Sequence, residues 1–110
     1  MKESSLIETL SIRTLKGLQV ELENLTDQDA PVPEEPRIDE RGKVTLPPGS
    51  TARILIRNGE RVTNLTVYHY RERPGHTPGG RIIGDGVEVI LNSEENKKFI
   101  PGIGYTEYRR

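Results

Sequence analysis

The chain has 110 residues with no cysteine, no tryptophan and one phenylalanine, and 30% of it is charged, at a formal net charge of −1. Such a length supports one domain with a single modest core, which must rest on Leu, Ile and Val. The composition excludes a disulfide framework, a thiolate zinc site and a cysteine nucleophile, and the balanced charge argues against a general nucleic-acid binder, which carries a basic excess.

Residues 1–16 read as an N-terminal arm or a short helix. Leu6, Ile7 and Leu10 stand at helical spacing, with Ser4 or Ser5 and Glu8 placed to cap it, whereas Leu10, Ile12 and Thr14 alternate as a strand would. The two periods compete and leave residues 5–15 open. Glu8 interrupts the apolar run before a signal-peptide core forms, and no run approaches the ~18 residues of a membrane span, so neither secretion nor a membrane partner is expected. Without a secretory signal, the sequons at Asn24 and Asn64 read as chance matches.

Leu18, Val20 and Leu22 alternate with Gln19, Glu21 and Glu23, the pattern of a half-buried strand. From Asn24 to Arg41 the chain turns polar, with Pro31, Pro33 and Pro36 removing backbone donors and favouring polyproline-like extension. This is either a surface loop or an arm lying across a neighbouring subunit, since so long a structureless loop in a small domain usually serves a function.

Lys43-Val44-Thr45-Leu46 alternates and is stopped by Pro47-Pro48-Gly49-Ser50; Ala52 to Arg57 follows. Asn58-Gly59 then predicts a hairpin with a type I′ turn centred on those two residues. In the next run Leu65, Val67 and His69 share one face, and Thr66, Tyr68 and Tyr70 the other. Arg71 to Gly80 is a second long, locally basic loop containing Arg71, Arg73 and His76. Asp85-Gly86 is another type I′ candidate, between Arg81–Gly84 and Val87–Leu91. Ser93 to Lys98 suggests one helical turn. Residues 99–110 read as an extended C-terminal tail, in which Phe99, Ile100, Ile103, Tyr105 and Tyr108, separated by Gly and Pro, suit docking in a groove. Short strands with turns at regular intervals predict an all-β chain: a small antiparallel β-sandwich or barrel with extended loops and terminal arms.

No constellation for catalysis stands out. His69 and His76 lack partners at metal-ligand spacing, and no Gly-x-Ser-x-Gly elbow is present. Gly79-Gly80-Arg81-Ile82-Ile83-Gly84 lacks the Gly-Lys-Ser/Thr and the following helix of a phosphate loop, and the acid pairs Glu34-Glu35 and Glu94-Glu95 read as solvated. No catalytic residue, metal or cofactor is therefore expected. The most suggestive string is Tyr68-His69-Tyr70-Arg71-Glu72-Arg73, where Tyr68 and Tyr70 with Arg71 and Arg73 could form a stacking platform for single-stranded nucleic acid. The competing reading, favoured by the acidic neighbours and the balanced charge, packs those tyrosines on a second sheet face or at an interface.

Leu22-Glu23-Asn24-Leu25-Thr26, followed by Lys43-Val44-Thr45-Leu46-Pro47-Pro48-Gly49-Ser50-Thr51-Ala52-Arg53-Ile54, resembles immunoglobulin-like β-sandwich modules, in which a V-x-L-P-P-G corner leads into the next strand. The Cys-Trp-Cys signature of antibody domains is absent, so the likeness is to the architecture alone. In organisation the chain also resembles the decoration or cement proteins of bacteriophage capsids. That resemblance implies a non-enzymatic virion protein, a homo-oligomer such as a trimer, held to a larger assembly by loops and arms. The interface residues it points to are Pro31, Pro33, Pro36, Arg71, Arg73, His76, Phe99, Ile100, Ile103, Tyr105 and Tyr108. Localisation would be the virion, or otherwise the cytoplasm. An accessory domain of a soluble enzyme complex is a further alternative.

Overall fold

Period-two alternation governs the chain from Thr9 to Arg109, and a chain whose apolar positions alternate can bury them only by facing two sheets together. In the computed structural model, in which residues 8–29, 34–71, 75 and 77–110 are described, there is no helix among the described residues and ten strands form. They are β1 (Thr9–Thr14), β2 (Gln19–Asn24), β3 (Arg37–Ile38), β4 (Lys43–Leu46), β5 (Thr51–Asn58), β6 (Arg61–Tyr70), β7 (Gly79–Gly84), β8 (Val87–Leu91), β9 (Glu95–Ile100) and β10 (Gly104–Arg109). The first sheet has the order β3-β4-β1-β10-β9 and the second β2-β5-β6-β7-β8, and every pairing is antiparallel. The chain is thus an all-β sandwich.

Leu10, Ile12, Val44, Leu46 and Tyr108 of the first sheet pack with Ala52, Ile54, Ile56, Leu65, Val67 and Ile82 of the second in one buried cluster. Each buried aliphatic side chain contributes about 1.5–3 kcal/mol, which makes this layer the main source of stability. Leu18, Val20 and Leu22 pack against its border, as their alternation predicts.

The second sheet is mostly local, a meander of hairpins from β5 to β8. At the β7–β8 turn Asp85 and Gly86 both have positive φ, 47° and 78°, as the expected type I′ turn requires. The β5–β6 turn is shifted by one residue from expectation. Asn58 still pairs with Arg61, so Gly59 and Glu60 are the central residues, and only Gly59 has positive φ, 64°. Glycine alone at the first central position is the type II′ pattern, and Asn58 serves as the last strand residue.

One open question is settled and two other expectations are corrected. Thr9 to Thr14 is strand rather than helix, because tertiary pairing on both sides of β1 decides between the competing periods; residues 5–7 lie outside the described set. Ser93 to Lys98 is a bend followed by β9, in which Lys97 and Phe99 point outward. Residues 99–110 are not a tail. Phe99 and Ile100 end β9, Pro101 to Ile103 turn the chain, and β10 lies between β1 and β9, bonded to both. The glycines and proline that suggested an extended tail make the hairpin turn instead.

The Pro47-Pro48-Gly49 corner carries the chain from the first sheet to the second, and His69 pins it. Its Nδ1–H donates to the Leu46 carbonyl at 2.8 Å, while the His69 carbonyl accepts from the Gly49 N–H at 2.7 Å and its N–H donates to the Ser50 carbonyl at 3.0 Å. His69 is fully buried, its Nε2 has no hydrogen-bond partner among the described residues, and its ring meets that of Tyr108 edge-on at 5.8 Å. Burial holds the imidazole below its ordinary pKa of 6.5, against smaller opposing contributions from the Leu46 carbonyl, Glu8 and the Pro47 carbonyl. The unfolded chain therefore binds this proton at a higher pH than the folded one. The His69 contribution to stability is complete above about pH 6.5 and is lost as pH falls below it toward the folded pKa. A urea-denaturation series is expected to show that decline, and His69→Leu to flatten it; an unchanged slope in the variant would assign the decline to other groups.

Candidate functional site

The inner faces are filled by core, so any site for a partner lies on the outer faces, the edges or the loops. On the outer face of the second sheet, β6 places Tyr68 and Tyr70 side by side, with ring centroids 6.2 Å apart and planes within 5° of parallel. With Arg71, Ser50 and Thr77 they border a hollow of about 300 Å³. The cations of this face are already matched. Arg53 pairs with Glu23 at 3.0 Å, Arg57 with Glu21 at 2.9 Å, and Arg81 with Glu88 across β7 and β8. A phosphate backbone needs cationic surplus, and this platform has little beyond the exposed Arg71. Arg73 lies outside the described residues.

The outer face of the first sheet differs in kind. Register places Lys43 of β4, Arg13 of β1, Tyr105 of β10 and Phe99 of β9 in one row across four strands. Phe99 is 50% exposed and Tyr105 58%, with ring centroids 4.9 Å apart at 52°. They border an open groove of about 630 Å³ shared with Arg13, Lys43, Lys97 and Lys98, where Glu107 is the one carboxylate. Glu107 is engaged by Arg109 at 3.1 Å and Lys97 at 3.5 Å, and Lys97 also pairs with Glu95 at 3.1 Å. Arg13, Lys43 and Lys98 form no ion pair among the described residues. The groove is thus aromatic at one end and net cationic.

Local chemistry fixes both ends of that row. Asp39 Oδ1 accepts the backbone N–H groups of Arg41 at 2.8 Å and Lys43 at 2.9 Å, which sets the turn entering β4. The Lys43 N–H is the chief reason that the Asp39 carboxyl is held below its ordinary pKa. At the other end Lys97 and Lys98 occupy β9, an edge strand. Two lysines on an open edge discourage pairing by a further strand, so a partner is directed to the face rather than the edge.

The interface residues expected from sequence separate into three groups. Phe99 and Tyr105 meet at the groove, and Arg71 is exposed beside the tyrosine platform. Ile100, Ile103 and Tyr108 are buried in this chain's own core and Pro36 is buried at the entry to β3, so none of the four presents a surface. Pro31, Pro33, Arg73 and His76 lie outside the described residues. Arg13 and Lys43 are the members the sequence did not single out. Their outward position follows from the alternation around Ile12 and Val44, but their meeting with Tyr105 depends on β1 pairing with β10.

Among the described residues no group of three His, Asp or Glu side chains is placed to hold a metal ion. In comparison with known proteins, no family model, curated protein or solved structure matches this chain.

Proposed function

We propose that this chain is a non-enzymatic structural module that joins a larger protein assembly, a viral capsid first among the candidates, and docks through the outer face of its first sheet. The observation that carries the reading is the pair Phe99–Tyr105, two large rings left about half exposed next to each other on a face otherwise built of polar residues. Interfaces draw their energy from such aromatic anchors, with a charged rim setting orientation and partner choice. The organisation of the chain, a small cysteine-free sandwich with a proline-rich segment, supports a particle as the assembly to test.

The experiment is co-sedimentation with capsid shells made from the genes that flank its own. The protein is expected to travel with the shells, and Phe99→Ser with Tyr105→Ser to lower the bound amount by at least about tenfold, the loss typical of removing interface anchors. No co-sedimentation would set the reading aside. Salt-sensitive retention of a single-stranded oligonucleotide, lost in Tyr68→Ala with Tyr70→Ala, would put a nucleic-acid function in its place. Deleting residues 99–110 cannot serve as the test, because it removes β10 from the middle of a sheet.

A further inference from the structure

The aromatic–cationic groove has a complement elsewhere on the same chain. Residues 24–36 contain Asp27, Asp29, Glu34 and Glu35 and neither lysine nor arginine, and Pro31 and Pro33 stand between the two acid pairs. All four acids are exposed. We propose that this acidic, proline-bearing segment of one copy seats on the Phe99–Tyr105 groove of a second copy, so that the protein self-associates. The proposal deepens the assembly reading above and rests on the same face.

Three observations favour a second copy as the occupant. The first is charge: four carboxylates meet a groove onto which three cations, Arg13, Lys43 and Lys97, project beside one carboxylate, itself already paired. The second is shape chemistry, since proline-bearing segments dock on exposed aromatic rings at low entropic cost when their extended form is already favoured. The third is position. The segment is tied at its start where the Leu25 N–H donates to the Thr51 carbonyl, and at its end by buried Pro36. Glu34 there borders a hollow with Glu8, Thr9 and Pro47, at the Thr9 end of β1, whereas the groove lies at the Arg13 end. Phe99 is on β9, four strand spacings or roughly 19 Å from β3. Glu34 and Glu35, the described acids at the end of the segment, thus lie at the opposite corner of the sheet from Phe99, which favours the segment of a second copy as the occupant of the aromatic end of the groove. Such a contact joins different patches on the two copies, and it closes either reciprocally, as a two-fold dimer in which each segment seats on the other's groove, or head-to-tail as a ring of three or more copies.

Light scattering on the purified full chain tests this without any other protein, so its failure is separate from a failure to bind shells. Wild type is expected at a multiple of 12.4 kDa at low ionic strength and nearer the monomer mass at high salt, because salt screens exposed charges. Glu34→Lys with Glu35→Lys, and separately Arg13→Glu with Lys43→Glu, should each weaken association by at least about tenfold. Mixing these two charge-reversed proteins should restore an oligomer in which both are present. Phe99→Ser with Tyr105→Ser, also at exposed positions, provides a route independent of charge and should yield a monomer that still unfolds cooperatively. A wild type that stays monomeric at low salt, or an oligomer that survives both charge reversals and the aromatic double substitution, would overturn the proposal.

Discussion

Gly104→Ala is expected to cost the fold more than about 3 kcal/mol, whereas Gly102→Ala, two residues earlier in the same hairpin, should cost only about 1–2 kcal/mol. Both glycines have positive φ, 146° and 81°, so both substitutions strain the backbone. They differ in what a Cβ would meet. At Gly102 nothing lies within 4 Å, but at Gly104 the new carbon would stand 2.1 Å from the Arg13 carbonyl oxygen and 2.7 Å from the Thr14 Cα. Those are backbone atoms of β1, so relief requires β10 to draw away from its neighbour exactly where Gly104 pairs with Thr14. Denaturant melts of the two variants side by side check this. Equal losses would mean that φ strain alone decides and that the close approach of the strands carries no weight.

Tyr108→Ala should destabilise the protein by about 3–5 kcal/mol, the range for removing a large buried aromatic, and lower the melting temperature by on the order of 15 °C. Tyr108 is the largest fully buried side chain, its hydroxyl donates to Glu8 Oε1 at 3.0 Å, and its ring supports His69 and hence the corner between the sheets. An alanine there leaves a cavity beneath the corner. The same substitution at Tyr105, on the outward side of the same strand, should shift stability by less than about 0.5 kcal/mol while weakening association. A melting temperature that falls equally in both variants would show that β10 is not oriented as described.

What could be foreseen from sequence tracks the distance over which each decision is made. Val44 and Leu46, and Leu65 with Val67, were legible as sharing one face because alternation is a property of neighbours in the chain. The Asp85-Gly86 turn was legible for the same reason. The identity of residues 99–110 was not, because the place of β10 in the middle of a sheet depends on pairing with Thr9–Thr14, some ninety to one hundred positions away. Read locally, Pro101, Gly102 and Gly104 look like breakers of structure. The candidate groove failed for a related reason. Phe99 and Tyr105 stood out as spaced aromatics, but Arg13 and Lys43 joined them through pairings across the whole chain.

The placement of β1 next to β10 bears on the order in which the molecule forms. Hairpins from β5 to β8 close over short intervals and need nothing outside residues 51–91. The middle of the other sheet cannot be completed until Gly104–Arg109 has left the ribosome, so Leu10 and Ile12, which can meet β4 early, wait through most of synthesis for β10. Long-range pairing of this kind slows folding. During that interval the nascent chain exposes the inner face of the finished meander, and an early-binding chaperone or a second nascent copy would find its apolar surface there first.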